Sequence, residues 1–164
     1  MLFAAIILES CFTITISAQN SDSGPGTAVY VVPITIAKTN DLNFGTIQVG
    51  STSGTVVLTP AGVRSKTGGV SLLSPTGTVQ VASFTVSGTP SSTYTISLPS
   101  SYTITNGTKN MTVNTFTSSP SGSGVISSSG SQTINVGATL IVAASQTPGT
   151  YTNASGFSVT VNYN

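Results

Sequence analysis

The sequence predicts an all-β protein, an antiparallel sandwich or barrel, and three observations carry that prediction. Serine and threonine make up about a third of the 164 residues, and Val and Ile (17 and 12) outnumber the 8 Leu. β-Branched side chains are stiff at χ1 and suit a pleated, half-buried surface better than a helix. Apolar residues recur with period two, and no window holds a helical stripe that is unbroken by Gly, Pro or a Thr run. Turn-forming residues punctuate the chain at short intervals: Gly50–Gly54, Pro60–Gly62, Pro75–Gly77, Gly88–Pro90, Pro120–Gly124, Gly130 and Pro148-Gly149. About nine or ten short strands with such spacing point to a sandwich or barrel.

Taken in order, the chain opens on Leu2–Leu8, an apolar run interrupted by Glu9 and resumed at Phe12–Ile16. It is too short and too interrupted for a spanning helix. Small residues at Ser17-Ala18 precede the polar stretch Gln19–Gly26, so residues 1–18 read as a secretory signal peptide, and 19–27 as a flexible polar tail. The basic start that usually heads a signal peptide is missing. Cys11, in Leu8-Glu9-Ser10-Cys11, loosely resembles a lipoprotein box, though Glu9 fits it poorly. Cleavage after Ala18 removes this cysteine and leaves a mature chain with no disulfide available. The remaining roughly 150 residues are enough to bury a core without one.

Residues 28–164 form the predicted single domain. Ala28, Tyr30, Val32, Ile34 and Ile36 make one apolar row, and Val29 and Val31 make the run apolar on both faces. The row suits a domain's own first strand or a strand exchanged with a neighbour. Leu42, Phe44 and Ile47–Val49 follow, with Gly45 as a bulge. Strands are next expected at Thr55–Thr59, Gly69–Leu73, Val81–Ser87 and Thr93–Leu98. Tyr102 and Ile104 lead into Asn106-Gly107, the signal for a two-residue hairpin turn, and Met111, Val113 and Phe116 follow it. Ser118–Ser131, rich in Ser and Gly, reads as a long hairpin loop. Ile134–Val136 and Leu140–Ala143 flank Gly137. Phe157, Val159, Val161 and Tyr163 alternate in a C-terminal strand.

Composition excludes most chemistry. There is no histidine, no tryptophan, one cysteine and only 4 % charged residues: Lys38, Arg64, Lys66 and Lys109 against Glu9, Asp22 and Asp41. General acid–base catalysis needs a titratable group set against a partner, and no close carboxylate pair or histidine is present. Ser and Thr hydroxyls are weak nucleophiles without a base. The ligands of a zinc site are missing, so no metal and no cofactor is expected. Four scattered cations are no nucleic-acid footprint, and nothing points to a small-molecule substrate. Low charge here does not mean disorder, because 38 % of residues are hydrophobic and mean hydropathy is positive. Asp41, at a strand entrance, reads as a turn residue, and Arg64 and Lys66 as a solvated loop. Tyr30, Tyr94, Tyr102, Tyr151 and Tyr163 read as core or sandwich-edge residues before they read as a sugar-binding groove. Asn106-Gly-Thr, Asn110-Met-Thr and Asn153-Ala-Ser are N-glycosylation sequons, easily met by chance in such a sequence.

Two stretches carry a family resemblance: Val32-Pro33-Ile34-Thr35-Ile36 through Asn43-Phe44-Gly45, and Gly137-Ala138-Thr139-Leu140 through Pro148-Gly149-Thr150-Tyr151 to Phe157–Tyr163. With Gly68-Gly69-Val70, Phe84–Gly88 and Tyr94-Thr95-Ile96 they resemble a bacterial secreted domain of unknown function, DUF4402. That family is in turn similar to spore-coat-U and chaperone–usher pilin subunits. The resemblance implies an incomplete immunoglobulin-like, pilin-like antiparallel β-sandwich, completed when a strand is added to an open edge. It implies a periplasmic chaperone, with self or other surface subunits as partners. The alternation ending in penultimate Tyr163 matches the pilin close; Gly149 does not match the spacing of the pilin glycine. The expected function is therefore a non-catalytic, secreted, fimbrial structural subunit of a bacterial surface fibre or cell-surface layer, exported through the periplasm. The alternative is an extracellular binding module or adhesin recognising glycans or another surface protein.

Overall fold

The computed structural model describes residues 23–73 and 77–164. The expected signal peptide, Cys11 and the start of the polar tail lie outside the described residues. Ser23–Tyr30 carries no strand and is exposed. From Val31 onward the protein is all-β, without a helix among the described residues.

Twelve strands follow in chain order: β1 Thr35–Asn40, β2 Asn43–Phe44, β3 Ile47–Leu58, β4 Arg64–Leu72, β5 Val79–Gln80, β6 Ala82–Ser87, β7 Thr93–Ser97, β8 Ser101–Thr105, β9 Asn110–Ser119, β10 Ser123–Val125, β11 Ser131–Val142 and β12 Thr160–Tyr163. Every pairing is antiparallel. One sheet runs β1-β6-β11-β3-β4 and adds β9 and β8 on the other side of β11; a second runs β10-β7-β12; β2 and β5 form a small third ladder.

β11 is the spine. One of its edges bonds β9, and the other bonds β6 through Val136 and then β3 from Ala138. The changeover falls at Gly137, where a Cβ would lie 2.1 Å from the Leu58 carbonyl oxygen, so only glycine admits the crossing backbone. Ile134, Val136, Ala138, Leu140 and Val142 all point inward and are buried, the period-two pattern of a half-buried strand. The two halves of the large sheet cover two clusters. Val56, Leu58, Val70, Met111, Val113 and Leu140 fill one. Phe84, Val86, Tyr94, Ile96, Ile126, Ile134 and Val161 fill the other, beneath the three-stranded sheet. Leu42 and Phe116 pack against both. The result is a curled, sandwich-like antiparallel arrangement.

Several predicted elements differ in extent. The first strand begins at Thr35, not Ala28. Pro33 has no N–H to give a ladder, and both backbone groups of Val32 are bonded elsewhere, as described below. The C-terminal strand begins at Thr160, because Phe157 turns into an aromatic contact with Phe84, Tyr102 and Phe116, at ring-centroid distances of 6.0, 5.8 and 4.9 Å. Gly50–Gly54 is not a turn but the middle of β3, where the ladder to β4 shifts register. The Asn106 turn has four residues, closed by Asn106 N–H donating to the Lys109 carbonyl, with Asn106 Oδ1 accepting from Thr108 and Lys109. Ser118–Ser131 contains β10.

Candidate functional site

The residues that sequence marks for chemistry are dispersed and engaged in structure. Lys38 donates to Asp41 at 2.5 Å in an exposed pair, so Asp41 is an ion-pair partner where a turn residue was expected. Arg64 Nη1 donates to the carbonyls of Phe44 (2.6 Å) and Thr46 (3.2 Å), tying β4 to the end of β2 instead of standing in a solvated loop. Tyr94 is fully buried and donates to Gln132 Oε1 at 2.6 Å. Burial pushes its phenol above the ordinary value. The Tyr102 phenol is also raised, first by burial and then by Asp41, while Lys38 acts in the opposite sense; it donates to the Asn153 carbonyl. Tyr151 donates to the Thr147 carbonyl and accepts from Gln146. Tyr30 is exposed. The five tyrosines therefore line no common groove. Among the sequons, Asn106 Oδ1 accepts the turn hydrogen bonds from Thr108 and Lys109, and Asn153 Nδ2 donates to the Thr103 carbonyl. Among the described residues no group of three His, Cys, Asp or Glu side chains could hold a metal, and no helix is long and apolar enough to cross a membrane.

What the fold does assemble is an unfinished edge. β12 bonds only β7, and β1 bonds only β6. The two strands come into contact, yet no backbone hydrogen bond joins them. Along this seam Ile34, Ile36, Phe157, Val159 and Tyr163 pack on the second cluster but are only half-buried. The other edges are protected by familiar devices. β4 carries Arg64 and Lys66. β8 is covered by Thr152, which exchanges two backbone hydrogen bonds with Thr105. β10 has three residues. β12 has no charge at all.

The predicted exchange row is divided by this arrangement. Ile34 and Ile36 pack along the seam; Ala28, Tyr30 and Val32 are exposed, with Val29 at 90 %, Tyr30 at 83 %, Val31 at 52 % and Val32 at 40 % relative exposure. Four consecutive large apolar residues in the open exceed what scattered surface hydrophobics explain. Of the C-terminal row, Val161 alone is buried.

The root of this arm is tied down. Val32 N–H donates to Thr89 Oγ1 at 2.8 Å, the Tyr163 hydroxyl donates to the Val32 carbonyl at 2.7 Å, and Thr89 N–H donates to the same hydroxyl at 2.7 Å. Sequence reasoning singled out Tyr163 but missed Thr89. Its one local signal is the neighbouring Gly88, where a Cβ would lie 2.2 Å from the Tyr163 hydroxyl. Val31, Ser91, Ser92, Thr93, Tyr163 and Asn164 line an open groove of about 480 Å³ beside this contact.

A family model described as a domain of unknown function (DUF4402) matches residues 34–163. No curated protein and no solved structure shows a match.

Proposed function

We propose, for a chain that belongs to the family of the domain of unknown function DUF4402, a non-catalytic structural role: a secreted subunit of a bacterial surface fibre or cell-surface layer that assembles by β-strand addition. The observation that carries the reading is the β1–β12 seam. It offers unbonded, uncharged backbone on β12 above five half-buried apolar side chains, while residues 29–32 of the same chain are extended in sequence pattern, apolar and exposed. An added strand would satisfy the free edge and bury both apolar surfaces, which is the economy of strand addition. The glycan-binding alternative has no comparable support, since four tyrosine hydroxyls are spent on intramolecular partners.

The test is assembly of the chain from residue 19 onward, followed by sedimentation and negative-stain microscopy, with Tyr30→Asp/Val32→Asp as the comparison. Concentration-dependent fibres in the wild type, lost in the double variant at unchanged melting temperature, are expected. A wild-type chain that stays monomeric at every concentration, together with unaltered surface appendages on cells lacking the gene, sinks the reading.

A further inference from the structure

We propose that Val32, Thr89 and Tyr163 form a latch that holds the root of the apolar arm on its own subunit and so restrains assembly; this rests on the strand-addition reading above. The three residues close a ring of hydrogen bonds at 2.7–2.8 Å. Both backbone groups of Val32 are consumed by side chains, so this residue cannot enter a ladder with any second copy while the ring is closed. The ring also uses Tyr163, the last residue of β12, and so occupies the end of the very edge that an added strand would approach. Val31 stands beside it as one wall of the groove whose other walls are Ser91, Ser92, Thr93 and Asn164. Opening the ring thus does two things at once. It frees Val32 to pair, and it clears Val31 from the groove.

The ring is built for a hydroxyl and not for packing alone. Gly88 leaves room for the phenol: a Cβ there would meet the Tyr163 oxygen at 2.2 Å and Ile126 Cδ1 at 2.8 Å. The Tyr163 oxygen donates once and accepts once, which is the full donor capacity of a phenol and fixes the direction of both bonds. All three contacts lie at the surface, exposed or half-buried, where the net worth of each bond is modest. A restraint of that strength is one that a competing strand can displace.

The experiment compares wild type with Tyr163→Phe, which keeps the ring and deletes both hydroxyl bonds, and with Thr89→Val, which is nearly isosteric and deletes the acceptor of Val32 N–H. Thr89→Ser keeps the hydroxyl and serves as the control. Hydrogen exchange is read at Val32, Thr89 and, for the core, Ile134, beside the lag time of assembly. In Tyr163→Phe and Thr89→Val, exchange at Val32 and Thr89 rises on the order of tenfold while Ile134 is unchanged, and assembly begins severalfold earlier; Thr89→Ser behaves as wild type. Unchanged exchange at Val32 overturns the latch. Faster exchange with equal or slower assembly overturns the restraint. If wild type and every variant stay monomeric, the strand-addition reading has failed, and the restraint with it; the exchange data then still report the state of the ring.

Discussion

Tyr94 shows how one side chain can carry the largest burden in a protein with so little charge. Among the described residues it is the largest of the fully buried side chains, and its hydroxyl is accommodated by Gln132 Oε1 and by the absence of a side chain at Gly124, where a Cβ would lie 2.5 Å from the phenol oxygen. Burial raises its pKa from 10.0, which ties stability to pH through a defined sign. The unfolded phenol ionises near 10.0, whereas the folded one resists. Tyr94 therefore contributes fully below that value, and its contribution falls as pH climbs from about 10 through the raised folded value. Tyr102 is shifted in the same direction and adds to the effect. Urea midpoints measured across the alkaline range should fall above pH 10 in wild type, and fall less steeply in Tyr94→Phe. Parallel curves for the two proteins would remove Tyr94 as the cause.

At the scale of elements, legibility followed how local the deciding interaction is. β6, β7 and β8 alternate cleanly and lie where the pattern places them, because their inward rows are set by single residues such as Phe84, Val86, Tyr94 and Ile96. β3 was legible only in part. Its central glycines look like a turn in isolation, but a Cβ at Gly54 would meet the Thr67 carbonyl oxygen at 2.2 Å, and one at Gly68 the Ser53 carbonyl oxygen at the same distance. The glycines record the close approach of the next strand, β4, where the ladder shifts register between Val49 and Gly54, and neither the approach nor the shift shows in β3 read alone. The start of β1 depends on Thr89 and Tyr163, at separations of 57 and 131 residues, and no local pattern announces such a contact. The seam was anticipated only as a class of site implied by family likeness; which two edges remain open follows from the pairing of all twelve strands. Gly137 belongs to the same category. It reads as a strand interruption, yet it sits where β11 passes from β6 to β3. Gly137→Ala should cost about 3 kcal/mol or more, because the obstruction is backbone at Leu58, Thr59 and Pro60 and not a side chain able to rotate away. Chemical denaturation measures this directly, and a loss below ~0.5 kcal/mol would show that the crossing is looser than the geometry indicates.

For the whole molecule, the proposed strand addition puts donor and acceptor on one chain but at different places, the exposed residues 29–32 and the edge of β12 that β7 does not bond. Such an interface is heterologous, and copies added head to tail propagate as a fibre where the rotation between them closes neither a ring nor a reciprocal two-fold exchange. It also makes the two halves separable. A chain beginning at Pro33 loses the arm and keeps every strand, since β1 starts at Thr35, as well as both core clusters. Its cooperative unfolding should therefore resemble that of the longer chain, with a small loss from the missing Val32 hydrogen bonds. This shortened chain can accept an arm but has none to give. Mixed into wild type, it should end every fibre it joins, so that mean fibre length falls as the inverse of its mole fraction while the amount of folded protein is unchanged. Light scattering or fibre-length counts from micrographs across a series of mixing ratios provide the measurement. Fibres whose length is indifferent to the shortened chain would show that the arm is not the connecting element, and that contacts elsewhere on the sandwich hold the copies together.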